Sequence, residues 1–291
     1  MCGRVRAFYA SLFSPDPTDP NACTVLWEEL PTVSVDNRDR LELPLPLAEF
    51  SEAHSHMPTN KSPGMEGLTM KFYRVFWDVL GPDLVTIWAE SLESGVLPLS
   101  CSMDYKVVAK AISLRLGSML ADMEKAFNKV DHGYLLSTLQ AFGFGPQFVD
   151  FLRVLYASAE SLVRLNWTLT EPVSFGRGVQ QGCPLLGQLY ALVIDPFLCL
   201  LRRRLTGLVL WEPELRLVLS AYADDVLLVV QDPGDLARVE ACQAIYSAAF
   251  SARVNWVKSS GLVVGDGWQA SSLPPALQSI RWSAGLLRSR R

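Results

Sequence analysis

Apolar positions recur along this chain with two periods, and they divide it into elements before any motif is read. Residues 67–80 and 83–95 repeat apolar side chains every third or fourth position, which predicts two amphipathic helices, and Gly81-Pro82 between them predicts a break. Phe72, Tyr73, Phe76 and Trp77 fall at helical spacing and are expected in a core. Residues 104–120 predict another helix, packing through Val107, Val108, Ile112, Leu114 and Leu116. Two more are expected at 133–142 and 147–157, separated by Gly143-Phe144-Gly145-Pro146. Strand-type runs at 161–167 and 171–175 predict a hairpin. Pro184 opens a long helix expected to end near Arg202-Arg203-Arg204. A second hairpin at 216–230, a helix over about 235–251 and a strand pair within 253–264 complete the pattern. Residues 1–45 hold short helical pieces around the loop Ser14–Pro20, and no internal repeat is present. Strands with helices interposed predict an α+β layer arrangement.

Composition narrows the possible functions. With 291 residues, 49% apolar and 19% charged, the chain is one large or two modest ordered domains, not a disordered tail. The longest apolar run, Leu185 to Leu201, contains Gln188, Asp195 and Pro196, so it reads as a buried helix and no membrane association is expected. No signal-peptide pattern is visible, which predicts an intracellular protein with reduced thiols. The six cysteines form no Cys-x-x-Cys pair, and His54, His56 and His132 do not flank them at zinc spacing. His54-Ser55-His56 reads as surface. The net charge of −4 argues against a purely electrostatic nucleic-acid binder. The acidity is uneven: the first hundred residues carry 7 Lys/Arg against 14 Asp/Glu, the remainder 19 against 16. Arg202-Arg203-Arg204 and Arg288, Arg290 and Arg291 contribute to the basic side, where a solvated helix end and a chain terminus explain them as well as nucleic acid does.

The candidate chemistry lies in Ala221-Tyr222-Ala223-Asp224-Asp225, followed by Val226-Leu227-Leu228-Val229-Val230. Adjacent carboxylates in so apolar a segment need a compensating charge, and a tight turn between apolar runs brings them to a hairpin tip. Hard carboxylate oxygens suit Mg²⁺, and such a tip facing a carboxylate from a second strand builds a two-metal phosphoryl-transfer site. An exposed Asp-Asp turn without chemistry is the plain alternative. Three further blocks decide between them: Ala121-Asp122-Met123-Glu124-Lys125-Ala126-Phe127-Asn128, then Gly176-Arg177-Gly178-Val179-Gln180-Gln181-Gly182-Cys183-Pro184, and, after the hairpin, Ala252-Arg253-Val254-Asn255-Trp256-Val257-Lys258. With Asn60-Lys61-Ser62-Pro63-Gly64 upstream, their order resembles the reverse transcriptase domain of LINE-type (non-LTR) retrotransposons over nearly the whole chain.

The resemblance implies an α+β reverse transcriptase-like palm with partial fingers and no thumb: an N-terminal and fingers remnant over 1–121, a palm over 122–265 and a truncated tail over 266–291. It implies RNA-directed DNA synthesis with Mg²⁺, deoxynucleoside triphosphates, an RNA template and a DNA primer. Asp122, Asp224 and Asp225 match the family's catalytic, metal-binding carboxylates. Phe127 matches the ring that excludes a ribose 2′-hydroxyl. Gln181 and Gly182 match the block lying against incoming nucleotide and template, and Lys258 matches a lysine facing the leaving pyrophosphate. Asn128, Gln180, Leu186 and Glu66 depart from the family's usual Asp, Arg, Ser and Asp. Leu99-Ser100-Cys101-Ser102 stands where a fingers segment is expected, and the strand ahead of Asp122 is reduced to Met119-Leu120-Ala121. Weak or absent polymerase activity is therefore expected. The rival reading is a catalytically dead remnant that binds nucleic acid or a protein partner. A two-metal nuclease fits the carboxylates but neither Phe127 nor the Gln-Gly block.

Overall fold

The computed structural model describes residues 2–15, 17–60, 67–97, 102–117, 131–157, 160–161, 164–165, 168–174, 183–209, 216–222, 225–250, 252, 254–264 and 275–285. In chain order these contain the helices α1 (Cys2–Phe13), α2 (Pro20–Trp27), α3 (Val35–Glu42), α4 (Leu47–Ser55), α5 (Met70–Val75), α6 (Trp77–Ser94), α7 (Ser102–Gly117), α8 (His132–Ala141) and α9 (Pro146–Ala157). The short strands β1 (Glu160–Ser161), β2 (Arg164–Leu165), β3 (Thr168–Leu169) and β4 (Val173–Ser174) follow, then α10 (Leu186–Arg204), β5 (Leu208–Val209), β6 (Arg216–Leu217), β7 (Leu219–Tyr222) and β8 (Asp225–Leu228). Helix α11 (Pro233–Phe250), β9 (Ser260–Val264), a 3-10 turn (Pro275–Ser279) and β10 (Arg281–Gly285) complete the order. The mixture of helix and strand is the one expected. Two compact units divide it: Met1–Pro15, Glu29–Ile194 and Tyr222–Asp224 form the first, Asp16–Glu28, Asp195–Ala221 and Asp225–Arg291 the second.

The first unit is mainly helical. Helix α4 packs on α7, α8 on α9, and α6 on both α4 and α9. Between them lie Phe50, Trp88, Val107, Val108, Ile112, Leu116, Leu135, Leu139, Phe148 and Leu152, all buried. Four of the five packing residues expected on α7 are therefore core, and Leu114 is half-buried. Polar groups tie the loops to this core. Arg115, almost wholly buried, forms a two-pronged ion pair with Glu49 (2.9 and 2.7 Å) and donates to the carbonyls of Leu41, Leu43 and Pro44. The Glu42 carboxylate accepts from the amides of Gln147 (3.1 Å) and Phe148 (2.8 Å), capping α9 from another helix.

Helix α6 corrects one expectation. Gly81-Pro82 does not break the helix; the break falls at Phe76 (φ −107°, ψ 17°), and Pro82 lies within α6. Pro82 is the sixth residue of α6, past the first turn, so it deletes one ladder bond, to the Asp78 carbonyl, without ending the helix. Gly81 is buried, and a Cβ there would press on the side chains of Trp77 (3.0 Å) and Leu47 (3.2 Å), so a larger residue fits only if they shift by a few tenths of an ångström. Of the aromatic group, Tyr73 is core, whereas Phe72 and Phe76 are exposed. Trp77 is half-buried, donates to Ser51 Oγ at 3.0 Å and stacks on His54, with centroids 4.0 Å apart. His54 is thus a buried residue of α4, not a surface one. The expected hairpin after α9 is present as nested pairs, β1 with β4 and β2 with β3.

In the second unit α2 packs on α11. Phe197 and Tyr246 stack at 4.5 Å, and the Asp19 amide donates to the Ala248 carbonyl (2.8 Å). Strands β5 and β6 pair antiparallel, and β7 pairs with β8. The expected strand pair within 253–264 is not formed. Residues 255–258 turn instead, and β9 pairs in parallel with β10, from Arg281 opposite Ser260 to Gly285 opposite Val264. A parallel partner needs a long connection, so no local turn signal announces it.

Candidate functional site

Strands β7 and β8 run into and out of the Asp224-Asp225 step. The Val229 amide donates to the Val218 carbonyl at 2.8 Å, closing the base of the hairpin. The period of two along β8 leaves Asp225 and Leu227 exposed and Val226 and Leu228 half-buried. Asp225 thus stands at the start of its strand with an exposed carboxylate, as a cation ligand requires. Asp122, Phe127, Gln181, Gly182 and Asp224 lie outside the described residues, so the structure describes no meeting of Asp122 with this hairpin. Among the described residues no three His, Cys, Asp or Glu side chains form a metal-ligand group.

The segment bearing the hairpin is fixed at both ends by Asp235, which the sequence reading missed. Asp232 caps α11 by accepting from the Asp235 amide (2.8 Å), with Pro233 in the first helical position. The Asp235 carboxylate is fully buried. It accepts from the amides of Thr206 (2.8 Å), Gly207 (3.3 Å) and Gln231 (3.2 Å) and from Arg238 Nη1 (2.5 Å). Burial alone would raise its pKa, but these donors outweigh it and hold the carboxyl below its usual range. One side chain therefore joins the chain leaving α10 to the chain leaving β8. An Asp at the cap with a second acid three residues on was the available signal.

Downstream of Gln181-Gly182 the chain is held by α7. The Tyr105 hydroxyl and Cys183 Sγ are hydrogen-bonded at 3.4 Å, Ser113 Oγ donates to the Pro184 carbonyl (3.2 Å), and Gln188 Nε2 donates to the Ser113 carbonyl (2.9 Å). Burial raises the pKa values of Tyr105, Tyr156 and Cys183, so all three stay protonated near neutrality. A buried neutral thiol is a packing group, not a nucleophile or metal ligand.

Lys258 is exposed in the turn after α11. Its amide donates to the Asn255 carbonyl (3.1 Å) and Asn255 Oδ1 (3.2 Å). Trp256 anchors that turn in a small cluster with Val230, Leu236, Leu277, Ile280 and Trp282. The triple arginine forms the last turn of α10, where cations offset the helix dipole. Arg203 donates to the Val25 carbonyl (3.4 Å), and Arg202 lies 3.9 Å from Asp195.

Residues 117–274, more than half of the chain, match the family model of the reverse transcriptases (RNA-dependent DNA polymerases), and the chain belongs to that family. All seven expected site residues fall inside the match. The Transposon TX1 uncharacterized 149 kDa protein of Xenopus laevis is 49% identical over 353 residues, which cover 98% of this chain and 27% of that protein. A retrovirus-related Pol polyprotein from the type-1 retrotransposable element R2 of Popillia japonica is 30% identical over 108 residues, 37% of this chain and 18% of that protein. One from the type-2 element R2DM of Drosophila melanogaster is 38% identical over 78 residues, 26% of this chain and 7% of that protein. These relatives make the chain a reverse transcriptase domain of the non-LTR retrotransposon kind. It spans about a quarter or less of their lengths. The TX1 alignment runs over 353 positions although this chain has 291 residues, so that protein carries several dozen residues there with no counterpart here. Internal gaps of that kind are what the motif spacing predicts. No helix among the described residues is long and apolar enough to cross a membrane.

Proposed function

We propose that this chain is the palm, with part of the fingers, of an RNA-directed DNA polymerase. The palm would occupy residues 122–265, between an N-terminal and fingers remnant (1–121) and a tail (266–291). The observation that carries this reading is the order of four motif blocks, all of them within the family match over 117–274. Asp122, Asp224 and Asp225 would hold Mg²⁺; the exposed Asp225 carboxylate fits a hard cation. When bound, a pair of divalent cations lowers the pKa of a primer 3′-hydroxyl and neutralises the triphosphate. The chain's own part is positioning. Phe127 would exclude a 2′-hydroxyl by its bulk. Gln181 and Gly182 would lie against the nucleotide and the RNA template, with the segment behind them clamped on α7. Lys258 would offer its ammonium group to the leaving pyrophosphate. Asp235 would hold the hairpin at the angle its carboxylates need. The partners would be an RNA template, a DNA primer and deoxynucleoside triphosphates.

The additional residues of the TX1 relative favour a second reading, a remnant with little or no catalysis that keeps binding to nucleic acid or a protein partner. Loss of a nucleotide clamp removes positioning and electrostatic stabilisation together. Primer extension on an RNA template, with Mg²⁺ and with EDTA, separates the two: weak Mg²⁺-dependent extension abolished by Asp224→Asn supports the first. Metal binding is tested apart from turnover. Mg²⁺ should raise the melting temperature of the native protein and not of Asp224→Asn, because a ligand of the folded state alone stabilises it. Equal stabilisation of both would remove Asp224 from the site.

A further inference from the structure

Gln188 is a polar residue at the apolar head of α10, where Leu185, Leu186, Leu189, Leu192 and Val193 are all buried. Its Nε2 donates to the Ser113 carbonyl of α7 (2.9 Å), and Ser113 Oγ donates back to the Pro184 carbonyl (3.2 Å). Ser113 is itself buried within α7, where its carbonyl also takes the ladder bond from the amide four residues on. Gln188 Oε1 is buried and accepts from no described residue. A buried acceptor left unpaired offsets the gain from the donor's bond, so stability alone is served as well by an apolar side chain of this length. The amide therefore points to a role other than stability.

Its position supplies that role. Gly117 ends α7, and a Cβ there would stand 2.8 Å from Gln188 Nε2, so the amide group lies directly against the last turn of that helix. Asp122 follows Gly117 by five residues. On the other side, Pro184 stands two residues after Gly182, and Cys183 between them is bonded to the Tyr105 hydroxyl of α7 (3.4 Å). One reciprocal pair of side chains thus joins the chain leading to Asp122 and the chain leaving Gln181-Gly182, both within the first compact unit. We propose that Gln188 and Ser113 are positioning residues that set the separation between the Asp122 arm and the Gln181-Gly182 arm of the site. This rests on the polymerase reading of those two arms. The pair acts through the backbone at Gly117 and Pro184, and a misplacement of about 1 Å between reacting groups can cost about a hundredfold in rate.

Two variants test this. Gln188→Met keeps the length of the side chain without its amide, and Ser113→Ala removes the hydroxyl. Melts monitored by circular dichroism check that each is folded, and without Mg²⁺ the melting temperature of Gln188→Met should equal or exceed the native value. Hydrogen exchange read by mass spectrometry should be at least about tenfold faster in both variants for peptides covering 118–130 and for those covering 176–182, with α11 unchanged. The Mg²⁺ concentration giving half of the full thermal stabilisation should rise at least about threefold in both, whereas a purely structural role would lower the melting temperature and leave that midpoint in place. Exchange that stays native in either segment overturns the proposal. So does faster exchange with an unchanged Mg²⁺ midpoint. Should Gln188→Met not fold, Ser113→Ala carries both measurements. A native protein that Mg²⁺ does not stabilise overturns the polymerase reading, and the role given to Gln188 and Ser113 falls with it, whatever the exchange rates.

Discussion

At the scale of single residues, buried titratable groups set the acid behaviour of this protein. Asp235 joins two loops by accepting from three amides and one guanidinium. Asp235→Asn should cost about 2–4 kcal/mol in chemical denaturation, since it removes charge-assisted bonds and turns an NH₂ group toward existing donors. Its folded pKa lies below the unfolded value of about 3.9. The stability it confers is therefore whole above about pH 4 and is lost as pH falls through the folded pKa, so native protein and variant should converge in acid. His54 acts in a milder window. Burial, and then Arg74, lower its pKa from 6.5, so the folded chain keeps a neutral imidazole where the unfolded chain is protonated. Its contribution is complete above pH 6.5 and drains as pH falls from there through the folded pKa. His54→Phe keeps a ring against Trp77 and should remove that part of the slope, read from melting temperatures between about pH 7 and 5.

Elements are held together here by polar side chains that reach across the sequence. Arg115 gathers Glu49 and three carbonyls from the last turn of α3 and the chain after it. Arg115→Met removes these bonds but leaves Glu49, a third of whose side chain is exposed, free to turn to water, and should cost about 1.5–3 kcal/mol by urea denaturation. The cap on α9 makes a second test. A Cβ on Gly145 would overlap the Glu42 carboxylate, which sits at the end of a flexible side chain and can swing away. Gly145→Ala should therefore cost about as much as losing the cap, near 1 kcal/mol. Glu42→Ala should cost a similar amount, and the double variant little more than either, a non-additivity that a double-mutant cycle measures. Local pattern located these helices well. Helices α8, α9, α10 and α11 stand within about two residues of their expected limits because strong 3.6-residue periodicity and Gly or Pro punctuation agree there.

The whole molecule is a reverse transcriptase domain lacking several dozen residues that the TX1 relative has within the matched stretch. Apolar residues are 49% of the chain, and the absent segments would cover some of them. At about 25 cal/mol per Å², leaving a few hundred Å² open forfeits several kcal/mol, against about 5–15 kcal/mol for a typical domain. Inserting family-like segments after Cys101 and ahead of Asp122 should sharpen thermal unfolding, raise solubility and increase primer extension at least about tenfold. A native chain that already unfolds in one cooperative step and gains nothing from the restored segments would be a fold that has settled without them.

What the sequence determined by itself is whatever lies close together along it. The motif blocks, their order and the family follow from neighbouring residues, as do the helices with clear periods and the hairpin that carries Asp225. Tertiary structure decided what depends on partners distant in the chain. Gly81-Pro82 reads as a break until Trp77 and Leu47 pack closely against Gly81 inside a continuing helix. His54 reads as surface until Trp77 covers it. Residues 253–264 read as a hairpin because the true partner of β9, at 281–285, lies beyond a long crossover. Phe72 and Phe76 read as core because periodicity tells which residues share a helix face, and only the packing of the other helices decides which face is covered.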